Sequence, residues 1–204
     1  MNESFKKYLI LLTPLILGFV ELFHPASQPD RTAMEVISDD TVLWLTIHIL
    51  QIPLFGLISL VIFFLIKDIK GILAITAKIS IFLFVTFYNA LDSITGIASG
   101  ILSYNAQNFP PNVQAFVGKQ IETLFSGSIV QVIGLIGASA WLIALCCTAI
   151  ALFLKGNSIP STILLLASGV LFGISHTPPT GPIGLGCFFL AVTMMDWSGS
   201  QQKV

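Results

Sequence analysis

The sequence predicts an all-α integral membrane protein, a bundle of six transmembrane helices with both termini in the cytoplasm. Of its 204 residues, 55% are hydrophobic and only 9% are charged, and a mean hydropathy of +0.92 is too apolar for a soluble domain of this length. The apolar residues form helix-length runs, which favours a helical bundle over a barrel of short alternating strands. A net charge of -1 without a basic run gives no electrostatic footprint for nucleic acid.

The apolar runs predict six helices, and the whole chain, 1–204, is expected to form one transmembrane domain. The first run resembles a signal peptide in layout, but it continues to Pro25 without a clear small-residue cleavage site, so we interpret it as an uncleaved helix. Polar loops are expected at 26–40 and 105–120, where the pair Pro110 and Pro111 argues against a helix. The approximate helix bounds are 8–24, 41–66, 73–104, 123–154, 161–176 and 183–197.

The basic residues predict the orientation of the bundle in a cell inner membrane. Only Arg31 and Lys119 lie on the side opposite the termini, so the positive-inside rule places both termini in the cytoplasm. Trp44 and Trp197 are expected in the two aromatic belts, and Tyr88 is also interpreted as an interfacial residue. The basic residues on the side of the termini are Lys6, Lys7, Lys67, Lys70, Lys78, Lys155 and Lys203.

A layer of polar residues interrupts the apolar runs at one depth. Asp92 lies within the apolar stretch 81–100, although an ionisable group at membrane depth costs at least about 2.5 to 3.5 kcal/mol on insertion scales. Counting about 1.5 Å per residue from the cytoplasmic end of each helix places six polar side chains about 21 to 28 Å up, in the outer third of the membrane. They are Glu21, His24, His48, Gln51, Asp92 and His176.

This layer predicts a site for a divalent metal, with zinc favoured and iron or copper as alternatives. Neutral imidazoles are ligands for these metals, and the metal charge would offset the charge of buried acids. The expected ligands are His24, His48 and His176. Asp92 or Glu21, whichever is not a ligand, is the expected general base.

Gln51 of this layer and two further polar residues are expected to form hydrogen bonds around the ligands. Gln51 follows His48 by three residues and Asn89 precedes Asp92 by three, so each pair shares a helix face, as Glu21 and His24 do. Ser139 comes at about the same depth when counted back from Lys155. These residues are Gln51, Asn89 and Ser139.

The expected function is that of a metal-dependent intramembrane enzyme, hydrolase-like, acting on a lipid-like or small apolar substrate from the bilayer. The inventory of three histidines and an aspartate is similar to that of the intramembrane zinc hydrolases that include the alkaline ceramidases. That family's paired histidines four residues apart on its last helix and its seven-helix layout are missing here, so the chain is not assigned to it.

Three other functions remain open at this stage. Two histidines are also suitable axial ligands for haem, which would be non-covalent because no CxxCH motif is present. Buried acids and histidines also suit a proton or metal-ion transporter, and a polar layer can simply fix helix packing. Cys146, Cys147 and Cys187 lie in apolar segments and are interpreted as packing residues. No cofactor-binding motif and no oligomeric state are predicted.

Overall fold

The structure is a computed structural model that describes residues 2–26 and 28–195. It is 83% helical and contains no strand among the described residues, so the predicted all-α class is confirmed. Within these residues, three helices are long and apolar enough to cross a membrane, namely Thr41–Ile66, the continuous helix Ile72–Ala106 and Ser128–Phe153. Trp197, Lys203 and the predicted end of the last helix lie outside the described residues.

Nine α-helices and one π-helical segment make up the described part of the chain. The π segment, Asp92–Ala98, joins α4 to α5 without a break. In chain order the α-helices are α1 (Glu3–Leu22), α2 (Ala33–Asp39), α3 (Thr41–Ile66), α4 (Ile72–Leu91), α5 (Ser99–Ala106), α6 (Pro111–Ser126), α7 (Ser128–Phe153), α8 (Ile159–Ile174) and α9 (Thr180–Thr193).

Six of these helices pack in chain order into a closed ring. Each helix packs against the next one in the order α1, α3, α4, α7, α8 and α9. The ring closes because α9 packs against α1. The interior of the ring is apolar and rich in aromatic rings, including Phe55, Phe84, Trp141 and Phe172. Large apolar side chains on the outer surface, such as Phe19, Ile79 and Leu135, are exposed, as expected for helices that face lipid.

A cap of two short helices covers one end of the ring, and the sequence had predicted loops there. α2 begins at a capping box between Thr32 and Glu35, and α6 begins with Pro111 in its first turn. Proline at the first helical position is favourable, because its missing N–H has no partner there in any case. The proline pair therefore starts a helix, and Gly127, in an extended conformation, separates α6 from α7.

Two aromatic residues, Trp44 and Tyr88, are buried, whereas the sequence predicted them at the membrane interface. Trp44 packs with Val36, Ile37 and Ile121 under the cap and is only 5% exposed, so it is not an aromatic-belt residue. Tyr88 is also 5% exposed and belongs to the interior of the ring, so its interfacial interpretation was wrong. Trp44 is buried by the cap and Tyr88 by the neighbouring helices of the ring. A hydropathy profile does not predict these long-range contacts.

Candidate functional site

The polar residues meet where the ring of helices joins the cap. His24 follows the end of α1, His176 follows the end of α8, and His48 lies about two turns into α3. Asp92 is the first residue of the π segment. These four side chains line one cavity of about 400 Å³, which we call the histidine cavity. The fold thus brings together residues that are up to 152 positions apart in sequence, from His24 to His176.

The three imidazoles share one hydrogen-bonding arrangement. Nδ1 of His24 lies 2.9 Å from the carbonyl oxygen of Pro25, and Nδ1 of His48 lies 2.7 Å from the carbonyl oxygen of Trp44. Nδ1 of His176 lies 2.9 Å from the hydroxyl oxygen of Tyr88. A carbonyl oxygen can only accept, so Nδ1 of His24 and His48 carries the proton and donates it. In neutral imidazoles, Nε2 of both rings is then left with a free lone pair.

The two free nitrogens face each other. Nε2 of His24 lies 3.3 Å from Nε2 of His48, and the ring of His176 stands edge-on to the ring of His24 with centroids 4.9 Å apart. Two lone pairs at this distance repel unless a proton or a metal ion lies between them. The two nitrogens could therefore share a proton or bind one cation.

Two buried acids lie beside the histidines. Oδ1 of Asp92 is 3.8 Å from Nε2 of His48, and its Oδ2 has no partner. Glu21 is fully buried; its Oε1 accepts a 2.7 Å hydrogen bond from Nε2 of Gln51, whereas its Oε2 and the Oε1 of Gln51 have none. Among the described residues, neither acid forms an ion pair with a lysine or arginine. A buried acid is either protonated or compensated by positive charge.

The π segment positions Asp92 and accommodates His48. Each π-bulge adds a residue to a helix and is often found at functional sites. Here a Cβ atom on Gly96 would overlap the imidazole of His48, so only glycine allows the helix to approach that ring. The Gly96 carbonyl oxygen accepts a 2.8 Å hydrogen bond from Nε1 of Trp44, and the indole ring lies against His48 with centroids 4.4 Å apart.

A turn with several internal hydrogen bonds positions His176. The hydroxyl of Thr180 donates to the carbonyl oxygen of Ser175, and the hydroxyls of Ser175 and Thr177 lie 2.8 Å apart. Gly181 packs so closely on the backbone of His176 that a Cβ atom would overlap its carbonyl group. The turn thus fixes the backbone of His176, while Tyr88 fixes its ring.

The cavity continues from the histidines to the cap. Ala33 and Val36 of α2 and Glu122 and Phe125 of α6 form its upper wall. The carboxylate of Glu122 accepts a hydrogen bond from the backbone N–H of Ala33 and so joins the two cap helices.

An ion pair stands at the upper wall of the cavity. The Arg31 guanidinium, which lines the cavity, binds both carboxylate oxygens of Asp39 at 2.6 and 2.8 Å. This pair holds the pKa of Asp39 below its ordinary value and raises that of Arg31. The cap is therefore tied together by hydrogen bonds and one exposed ion pair.

Not every residue that the sequence proposed for the site reaches the cavity. Glu21, Gln51 and Asn89 do not line it, although Glu21 and Gln51 are buried and bonded to each other behind it. Ser139 is exposed on α7 and is also not part of the lining, because depth along a helix does not fix the direction in which a side chain points. Tyr88 and Trp44 line the cavity, but the sequence analysis assigned both to the membrane interface.

The side chains are not already arranged as a complete metal site. Within residues 2–26 and 28–195, no group of three or more histidine, cysteine, aspartate or glutamate side chains has the geometry to hold a metal ion. Comparisons with protein-family models, curated proteins and solved structures return no match to this chain. Its function is therefore inferred from the fold and the cavity alone.

Proposed function

We propose that this chain is a membrane-embedded metal-binding protein that works as a metal-dependent enzyme, hydrolase-like, at the outer end of a six-span bundle. In this proposal α1, α3, α4 with α5, α7, α8 and α9 cross the inner membrane, and both termini lie in the cytoplasm. The cap and the cavity then face the outer leaflet. The metal is a divalent ion, with zinc favoured, and its ligands are His24, His48 and His176.

The facing pair of imidazole nitrogens is the main support for the metal. Two nitrogens bound to one tetrahedral zinc ion at 2.0–2.1 Å are about 3.3 Å apart, and the Nε2 atoms of His24 and His48 are separated by 3.3 Å. Metal-binding histidines usually donate their other ring N–H to an oxygen, which fixes the ring. All three histidines have an oxygen partner at Nδ1, and His176 is the third ligand in this proposal because its ring stands next to that of His24.

A bound divalent ion would allow both buried acids, Asp92 and Glu21, to ionise, and the imidazole ligands would stay neutral. Since Glu21 does not line the cavity, its role in this proposal is charge compensation, and Asp92 takes the role of general base.

Asp92 is placed to accept a proton from a water molecule in the cavity, because it lines the wall beside His48. A bound divalent metal supplies polarisation of a carbonyl group and acidification of water. Water would add to the acyl carbon of an ester or amide, the bond to the alcohol or amine would break, and the proton would pass to that leaving group. The products are a carboxylic acid and an alcohol or amine, so no oxidant or reductant is needed.

The other functions fit the geometry less well. Haem between two imidazoles requires nitrogens about 4 Å apart with a porphyrin plane between them, whereas the Nε2 atoms of His24 and His48 are 3.3 Å apart. A transporter needs a polar path to the other side, but the rings of Phe55, Phe84 and Phe172 fill the bundle next to Tyr88. Pure packing leaves the facing lone pairs without an explanation.

Metal content of the purified protein tests this proposal. After N-terminal sequencing confirms that Glu21 and His24 are retained, we expect roughly one equivalent of zinc or another first-row metal. His24→Ala, His48→Ala and His176→Ala should each lower the affinity for Zn²⁺ by roughly tenfold or more, since each removes a ligand. Ser139→Ala is the matched control, because Ser139 was predicted at the same depth but is exposed, and it should leave the affinity unchanged.

The same measurement separates the alternatives. An intense Soret band that disappears in His48→Ala would replace the metal proposal by haem. If the purified protein contains no metal and does not take up Zn²⁺ in a titration, the two imidazoles share a proton or simply pack, and the metalloenzyme proposal is wrong.

A further inference from the structure

One proton in the histidine cavity has no acceptor, and the pair formed by Tyr88 and His176 carries it. The Tyr88 hydroxyl oxygen lies 2.9 Å from Nδ1 of His176, and neither side chain forms another hydrogen bond among the described residues. A neutral imidazole carries one ring proton and a tyrosine carries one hydroxyl proton, but the single hydrogen bond between them contains only one of the two. The other proton therefore belongs to an N–H or O–H group of a side chain that lines the cavity, and this group still requires an acceptor.

The identity of the unused donor follows from the tautomer of His176. His24 and His48 bind carbonyl oxygens through Nδ1, whereas the hydroxyl partner of His176 can either donate or accept. For Nε2 of His176 to bind a metal, as the proposed function requires, the ring proton must lie on Nδ1. The Tyr88 oxygen then accepts this hydrogen bond, and the Tyr88 O–H is the group left without an acceptor.

Packing holds the Tyr88 ring in one position. The ring lies among Phe55, Phe84 and Phe172, whose centroids are 5.1, 5.0 and 6.0 Å from its own. Helix α7 approaches it so closely at Gly137 that an added Cβ atom would lie 2.8 Å from Cδ2 of Tyr88. A donor held in this way does not have to reorganise when charge develops beside it, which is the property of groups that stabilise an oxyanion.

Asp92, the proposed general base, lies one helical turn after Tyr88. Its backbone N–H donates to the carbonyl oxygen of Tyr88, and side chains four residues apart on a helix share a face, with Cβ atoms about 5–6 Å apart. Both side chains line the histidine cavity. They are not bonded to each other, because Oδ2 of Asp92 has no partner and the hydroxyl of Tyr88 bonds only to His176. A proton acceptor and a hydrogen-bond donor are thus both available at one wall of the cavity.

We infer that Tyr88 is a catalytic residue of the proposed hydrolysis, and that its hydroxyl donates a hydrogen bond to the carbonyl oxygen of the substrate ester or amide. This inference rests on the proposed function, because a metal ligand at Nε2 of His176 sets the tautomer. When water adds to the acyl carbon, the electron pair of the carbonyl π bond moves onto the oxygen, next to the Tyr88 O–H. The pair returns as the bond to the alcohol or amine breaks. The proton that Asp92 takes from water passes to that leaving group, and Tyr88 keeps its own proton.

The tautomer of His176 is tested on the wild-type protein. Two-bond proton–nitrogen NMR spectra of histidine-labelled protein in detergent micelles are recorded during a titration with Zn²⁺, and the His176 signals are those that are missing in His176→Ala. We expect the zinc-bound His176 to carry its proton on Nδ1 and to bind the metal through Nε2. A zinc-loaded protein in which Nε2 of His176 carries the proton would overturn the inference, because the Tyr88 O–H would then be used in the bond to Nδ1.

Tyr88→Phe tests the donor itself. The change removes only the hydroxyl, and the ring keeps its aromatic neighbours. In the hydrolysis of para-nitrophenyl butyrate at saturating Zn²⁺, we expect kcat to fall roughly 100-fold or more, as it does when one oxyanion donor is removed. KM should change little, because this hydrogen bond strengthens in the transition state. Tyr104→Phe is the matched control, because Tyr104 is an exposed tyrosine further along the same continuous helix, and it should leave kcat unchanged.

Zinc occupancy measured on the same samples keeps the two proposals apart. Tyr88→Phe also removes the hydrogen-bond partner of His176 and should weaken Zn²⁺ binding, so its kcat is measured only where the metal site is full. If excess Zn²⁺ restores the wild-type kcat, Tyr88 only positions His176 and the inference is overturned, whereas the proposed function stands. A wild-type protein that is loaded with Zn²⁺ but hydrolyses neither para-nitrophenyl butyrate nor butyranilide would overturn the hydrolase proposal and this inference together.

Discussion

At the scale of single residues, the candidate site depends on a close contact between His48 and Gly96 that leaves no room for a side chain at position 96. His48 is enclosed by Trp44 on one side and by the backbone of the π segment at Gly96 on the other. Its Nδ1 is held by a carbonyl oxygen of its own helix. The position of its Nε2 atom is therefore fixed by the structure around it and not by the cation that it would bind.

Gly96→Ala is expected to disturb this arrangement. The added Cβ atom would overlap the His48 imidazole, so the ring or the π segment must move, at a cost of about 1 to 3 kcal/mol in the free energy of unfolding. We expect a lower Zn²⁺ affinity in isothermal titration together with a lower thermal stability. Gly56→Ala has open space and should be neutral or stabilising by up to about 1 kcal/mol. An unchanged Zn²⁺ affinity in Gly96→Ala would contradict the proposed role of His48.

At the scale of secondary structure elements, the π segment and the cap distinguish this bundle from a simple set of crossing helices. The Gly96 carbonyl oxygen, in the π segment, accepts hydrogen bonds from the backbone N–H of Ser99 and from the indole of Trp44. Trp44 itself packs against the cap residues Val36 and Ile121. One tryptophan thus connects α3, the π segment and the cap above the histidine cavity.

Trp44→Phe measures the hydrogen bond between Trp44 and the π segment. The change removes the indole N–H, and we expect a loss of about 1 kcal/mol in unfolding free energy from this bond, in addition to the loss of packing. Trp141→Phe is the matched control, because Trp141 is fully buried but its Nε1 has no partner. Unfolding in detergent mixtures should show the larger loss for Trp44→Phe. Equal losses would mean that the indole bond does not stabilise the π segment.

At the scale of the whole molecule, the closed ring of six helices determines which faces meet lipid and which end contains the histidine cavity. The histidine cavity lies next to an apolar interior, which suits a site that opens on one side only. The proposed orientation places the cap outside the cell and the turn between α7 and α8 inside. A hydrolase that draws its substrate from the outer leaflet requires this orientation.

Cysteine labelling tests the orientation in intact expressing cells. Cys146, Cys147 and Cys187 are first replaced by alanine, and single cysteines are then introduced at Gln28, close to the cap, and at Asn157, between α7 and α8. A membrane-impermeant maleimide should label the cysteine at position 28 in intact cells and the one at 157 only after lysis. The reverse pattern would place the histidine cavity on the cytoplasmic side, and the orientation proposed from the basic residues would be wrong.

The sequence by itself determined the all-helical class of the protein and predicted that its polar residues share one level. Apolar runs of helix length can be recognised from composition, because a buried backbone in lipid must form its hydrogen bonds within a helix. A rise of about 1.5 Å per residue converts position into depth, which is why His24, His48, Asp92 and His176 were expected in one layer. These four residues line one cavity in the structure.

Only the tertiary structure decided how those residues face one another. Ser139 was predicted at the same depth but is exposed, since rotation about a helix axis is set by packing with neighbouring helices. Tyr88 and Trp44 joined the site because the ring and the cap enclose them. The π segment and the close approach at Gly96 depend on contacts between α3 and α4 that are distant in sequence. Depth follows from a local repeat, whereas direction and enclosure follow from long-range packing.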